Sequence, residues 1–158
     1  MKTSTFLLII NIALLIFIWV FTGVKYAELP EIVPSHFAVN GKVDGESAKN
    51  TIWFLPAIAT FVFLALIGVS RNPDSPLLHV PQSFRNKETL KLYMYSMLLP
   101  VLLLLGDTVV ESILIAQGRL AEMTNIVFVL LALMFGVMGF CIFKMLKESR
   151  TEILNTKN

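Results

Sequence analysis

The sequence predicts an all-α integral membrane protein: four transmembrane helices, with a short β-hairpin-like extracytoplasmic loop between helices 1 and 2. Three observations predict it. Of the 158 residues, 56% are hydrophobic and only 15% are charged, whereas average soluble domains carry about a quarter charged residues. The apolar residues are gathered into four long runs, each near the roughly 20 residues a helix needs to cross a bilayer at about 1.5 Å per residue. Basic residues flank those runs. Four spans leave only short connections, so a single membrane domain over residues 1–158 is expected, with no large soluble part. The net charge of +2 implies no nucleic-acid partner. The partner that composition demands is the lipid bilayer.

The first span covers about residues 5–24. Lys2 precedes it, as in a signal peptide, but the apolar stretch is long for one. Ala27 has Lys25 two residues before it where a cleavage site needs a small residue, so an uncleaved signal anchor is expected. Asn11 is its one strongly polar residue and is expected to face another helix. Residues 25–50 form a loop, and the second span follows over about residues 51–69. Pro56 sits in its first turns, where a missing N–H costs least.

Residues 70–91 form the next loop. Pro73, Pro76 and Pro81, with Asn72, Asp74 and Ser75, argue against a long helix between Arg71 and Glu88. His79 in this loop is expected to be solvated. The third span covers about residues 92–116, with a kink expected at Pro100. Gln117, Gly118 and Arg119 make a tight turn. The fourth span covers about residues 123–146. On it Ala132, Gly136 and Gly139 form a small-residue stripe that suits close packing in lipid. The single cysteine, Cys141, is expected to pack between helices, and alone it does not reveal a redox compartment. The tail, residues 147–158, is expected to be polar and frayed.

Lysine and arginine placement orients the chain. Lys2, Arg71, Arg85, Lys87, Lys91, Lys144, Lys147, Arg150 and Lys157 fall on one side; Lys25, Lys42, Lys49 and Arg119 fall on the other. The richer side belongs in the cytoplasm. Both termini are therefore expected inside the plasma membrane, and Lys25–Asn50 outside.

That outer loop carries the most local information. Asn40-Gly41 is a type I′ turn signal, because both residues tolerate positive φ. Short β-like arms are expected over Ser35–Val39 and Lys42–Asp44. Pro30 and Pro34 stiffen the approach, Asp44-Gly45 offers a second turn, and Phe37 and Ile32 are expected to rest on the membrane surface or on helix ends.

The pattern Leu29-Pro30-x-x-x-Pro34-x-His36-Phe37, then Gly41-x-x-Asp44-Gly45, then Lys49 resembles a domain of unknown function in small bacterial and archaeal membrane proteins. The same domain occurs at the N-terminus of immunity proteins for the sporulation-delaying toxin. The resemblance covers roughly residues 10–70. Two positions depart from it: Ala38 stands where the family has Asn, and Glu46 where it often has an aromatic residue. The full immunity proteins are similar to longer six-helix chains with a further region that is not seen here. The resemblance implies a membrane accessory or immunity-type protein.

The chemistry-bearing residues are few. His36 and Asp44, with Glu28 and Glu31 nearby, are metal-ligand types, but their spacing is not that of a zinc site. His36 and Asp44 are instead expected to hydrogen-bond the loop backbone and hold the hairpin, with metal or ligand contact as the alternative. No catalytic, metal or cofactor motif is found, so no catalytic residue, metal or cofactor is expected. Asp107 and Glu111 are four apart, so they share one face of the third span, which Ser96 and Pro100 continue. Asp107 lies about nine residues, or roughly 14 Å, from the outer end, near the bilayer middle. A lone charge there costs at least about 2.5 kcal/mol, so it should face the bundle. Two like charges this close disfavour joint ionisation. A structural use has Asp107 bonded to Asn11 or to backbone, with Glu111 near the outer surface; a functional use is a proton or cation site.

Three function classes follow. In the first, an accessory or immunity-type protein, the outer loop (His36, Phe37, Asn40, Gly41, Asp44, Lys49) contacts an extracytoplasmic peptide or a membrane-protein partner. The alternative is a small proton- or cation-linked transporter subunit using Asp107 and Glu111. A membrane enzyme ranks last.

Overall fold

Four helices long and apolar enough to cross a membrane follow one another along the chain, with a two-stranded antiparallel sheet between the first and second. The computed structural model describes residues 2–74, 78 and 80–156. Ser75, Pro76, His79 and Lys157, which entered the sequence reading, lie outside the described residues.

Helix α1 spans Thr3–Tyr26, strand β1 Ile32–Phe37, strand β2 Val43–Ala48, α2 Phe54–Arg71, α3 Lys87–Ala116 and α4 Ile126–Thr156. A 3-10 turn over Lys49–Trp53 leads into α2, and another over Gln82–Phe84 precedes α3. The third helix starts earlier than its apolar run, inside the segment read as loop. The reason is a cap: Asn86 is extended, and its side chain accepts from the Glu88 N–H at 2.8 Å, satisfying an amide that a helix start leaves open. The tail also departs from expectation. It is helical to Thr156, because no glycine or proline follows Gly139 to stop the helix.

Helix α3 is the hub. Helices α1, α2 and α4 each pack on it, while α1 and α2 touch each other far less. Within the chain, 44% of the apolar stretch of α3 is buried, against 6% of that of α4. The larger core joins Ile18 of α1 and Ala59 of α2 to Leu98, Leu102, Val109 and Ile113 of α3, with Leu29 and Val33 laid over its end. Towards the other end a second cluster joins Ile67, Leu78, Leu90, Met94 and Tyr95. There Glu88 lies 3.4 Å from Lys2 and 3.3 Å from Lys91.

The hairpin differs in detail from the sequence expectation. Its strands pair Ile32 with Ala48 and Phe37 with Val43, with irregular register around His36, so the arms are longer and lie further out than Ser35–Val39 and Lys42–Asp44. The turn is not type I′. Among the described residues only glycines have positive φ: Gly41 at 81° and Gly118 at 71°. Asn40 stays outside that region, and its side chain accepts from the Lys42 N–H at 3.1 Å instead. The tip is closed by Gly41 N–H to Ala38 O at 2.8 Å and by Ala38 N–H to Lys42 O at 2.9 Å. This is a three-residue connection with one left-handed glycine, the next commonest hairpin solution.

Candidate functional site

The hairpin end of the bundle is a braced cap, built from parts distant in sequence. Val33 and Leu29 anchor it from below, 1% and 5% exposed. Sequence reasoning assigned this task to Ile32 and Phe37, but Ile32 points outward and Phe37 is half-buried. Strand alternation explains the exchange: Ile32 and Val33 face opposite sides, and β1 lies on α3.

At its tip the hairpin meets the α3–α4 connection. Gly41 O accepts from the Met123 N–H at 2.9 Å. A Cβ on Gly41 would stand 2.8 Å from Met123 O, so the tip requires glycine for its positive φ and for the close approach. The connection itself begins with a glycine stop. Gly118 N–H bonds Ile115 O at 2.9 Å and Arg119 N–H bonds Leu114 O at 2.8 Å, the paired pattern that closes a helix through a left-handed residue.

Polar side chains tie the cap to the helix ends. Glu28 accepts from Lys25 Nζ at 2.8 Å and from Gln117 Nε2 at 2.9 Å, joining the end of α1 to the end of α3. The Lys25 hydrogen bond, and after it the charges of Lys25 and Arg119 and the Gln117 amide, outweigh desolvation and hold the Glu28 carboxyl below its ordinary value. Lys49 Nζ lies 2.7 Å from Glu31 Oε1 and over the Tyr26 ring. Tyr26 in turn packs on Trp53, which packs on Trp19.

His36 Nδ1 and Asp44 Oδ1 are 2.5 Å apart on the outer surface. They bond each other rather than the loop backbone. Gly45 makes room for this, because a Cβ there would come within 2.9 Å of His36 Cβ. Glu28 and Glu31 do not join the pair, since each is drawn to its own cation. Asn40 and Gly41 form the tip, and Phe37 lines a hollow of about 260 Å³ with Pro34, Ile58, Thr108 and Ser112.

The polar residues within the helices, Asn11 and Glu111 buried and Asp107 half-buried, part company. Asn11 is 0% exposed and donates Nδ2 to Tyr95 O at 3.0 Å, so it does face another helix; its Oδ1 has no hydrogen-bond partner among the described residues. Glu111 is 4% exposed, and its carboxylate accepts from Thr124 N–H at 3.0 Å and from the Thr124 hydroxyl. Thr124 in turn accepts from Ile126 N–H at 3.3 Å, so Glu111 fixes the start of α4. Asp107 is not bonded to Asn11. Its Oδ2 is buried without a partner among the described residues, beside a hollow of about 250 Å³ between α1, α3 and α4. Sequence reasoning found both acids but missed Thr124 and Met123, because nothing in their spacing marks a partner.

Residues 13–60 match the profile of a domain of unknown function, DUF1648. That stretch holds most of α1, the whole hairpin and the start of α2. An uncharacterized protein of Archaeoglobus fulgidus is 25% identical over 80 residues, which is 51% of this chain and 44% of that protein. The chain thus matches less than half the length of that relative. No solved structure matches this chain.

Proposed function

We propose that the chain crosses the cell membrane four times with both termini in the cytoplasm. Its braced cap is then an extracytoplasmic contact surface for a peptide or a membrane-protein partner, an accessory or immunity-type role. One observation carries this reading. The cap is held from below by Val33 and from the side by the Gly41–Met123 bond, yet turns Val39, 88% exposed, and the His36–Asp44 pair outward. A surface ordered in advance loses little entropy on binding. The resemblance of the Leu29–Lys49 motif to the N-terminus of toxin immunity proteins supports the immunity side of this reading, and the basic-residue asymmetry supports the orientation.

The test is protection. Cells lacking the gene are challenged with a panel of membrane-active peptides, then complemented with wild type, His36→Ala or Val39→Asp at equal membrane abundance. Wild type should raise tolerance to at least one peptide, and the cap variants should lose that gain. Full protection by both variants, or no protection by wild type, would overturn the reading.

A proton- or cation-linked transporter subunit is the second reading, favoured by Asp107 Oδ2, which has no partner among the described residues. Glu111, the other acid of this reading, lies one turn away with its carboxylate engaged by Thr124. If Asp107→Asn keeps the full deletion-complementing phenotype at every external pH, a titrating role for Asp107 must be abandoned.

A further inference from the structure

The hollow beside Asp107 is lined by an acid whose Oδ2 has no hydrogen-bond partner among the described residues. Leu14 and Phe17 of α1, Leu103, Gly106 and Val110 of α3, and Leu130 of α4 line it with Asp107. Apart from Asp107, none of the lining residues is titratable. The next acid along α3, Glu111, is committed to Thr124. One oxygen of Asp107, Oδ2, is therefore buried beside this apolar space with no partner to accept from among the described residues. Buried acceptors are normally matched, so an exception calls for an explanation.

The donor set narrows what could fill it. Hard metal cations take about six or more oxygen ligands, and one carboxylate among leucine, valine and phenylalanine does not supply them. An organic ammonium fits better. Its N–H donors suit a carboxylate, and its carbon chain suits the apolar walls. At about 250 Å³ the space falls short of the roughly 300–1,000 Å³ of drug-sized sites, which favours a head group over a bulky ligand.

The seam between α3 and α4 offers room for a chain. Away from the hairpin end it opens into a hollow of about 190 Å³ at Ser96, Pro100 and Leu133. Beyond it lies a larger one of about 580 Å³ that shares Ser96 and Leu133 and reaches Tyr93, Gly136 and Cys141. Helix α4 is the least buried of the four, and it packs on α3 alone among the long helices with more than slight contact.

We propose that Asp107 binds a primary alkylammonium, with the cationic nitrogen on its carboxylate and the apolar chain along the α3–α4 seam. The inference names a ligand class for the second reading above. It requires binding only, whether or not anything is transported, and it rests on bilayer insertion, which recovery of the protein in lipid discs checks before any ligand is added.

Octylammonium is the probe, titrated into the full chain in phosphatidylcholine nanodiscs carrying 13C-methyl leucine. Saturable shifts are expected at Leu14, Leu103 and Leu130. Octan-1-ol, neutral and of the same chain length, should produce them at least about tenfold more weakly, and Asp107→Asn should weaken octylammonium binding by at least about tenfold, as loss of one partner of a buried charge pair does. Leu130→Phe, which fills the hollow without touching the acid, should also abolish the shifts. Equal binding of octylammonium by wild type and Asp107→Asn, or of octanol and octylammonium by wild type, overturns the proposal.

Discussion

Gly41 combines two constraints that only glycine meets together. Its φ is 81°, a region that costs other residues about 1–3 kcal/mol, and Met123 O closes the space a side chain would need. Gly41→Val is therefore expected to free the tip from the α3–α4 connection. Amide exchange in nanodiscs should speed up across residues 35–45 and at Met123 while α3 stays protected, and unchanged protection at the tip would contradict the account. Glu111 makes a comparable contribution from within a helix. Removing it leaves the Thr124 amide and hydroxyl without their acceptor, at about 1–3 kcal/mol. Glu111→Ala should accordingly lower the midpoint of unfolding in dodecyl sulfate, and Glu111→Gln, which keeps an acceptor, should lower it less. An Ala variant as stable as wild type would show that Thr124 does not depend on this carboxylate.

The elements differ in how well the sequence announces them. Helix α1 and α2 nearly coincide with their apolar runs, because their ends fall where hydropathy changes. Helix α3 does not, since its first turn is polar and is started by Asn86. The Asn86-Lys87-Glu88 stretch carried that cap signal, but it was masked by the proline-rich segment before it. Asn86→Ala should cost about 0.5–2 kcal/mol and fray the first turn of α3, read as faster exchange at Lys87–Leu90. No change there would mean that the helix start is held by Glu88 and its lysines alone. Helix α4 shows the converse: its polar end is helical to Thr156, where low hydrophobicity had suggested fraying. Hydrophobicity reports partition into lipid, whereas helix continuity depends on backbone propensity and the absence of breakers.

On the scale of the molecule, the hub arrangement divides labour. Helix α3 ties α1 and α2 into a core, and the cap sits over one end of it, while α4 leans on α3 and is anchored at its start through Thr124. The proposed orientation can be tested in a Cys141→Ala background. Lys42→Cys on the cap should be labelled by an impermeant maleimide in intact cells, and Asn72→Cys, exposed after α2, only after permeabilisation. The reverse pattern would invert the topology and place the cap in the cytoplasm.

The number and rough extent of the long helices, the presence of a hairpin between the first two, and the importance of a glycine at its tip were determined by the sequence alone. These depend on local quantities: runs of apolar side chains, and the φ that each residue tolerates. The partners were decided by the tertiary structure. Asp107 and Glu111 are equivalent in any local reading, a turn apart on one helix, yet a threonine 13 residues beyond Glu111 claims one acid and leaves the other facing a hollow. Likewise, Gly41 signals a turn by itself, but only the folded chain brings the Met123 amide to its carbonyl. Satisfaction of a buried polar group depends on what arrives from elsewhere in the chain, and side-chain spacing along one segment does not encode that arrival.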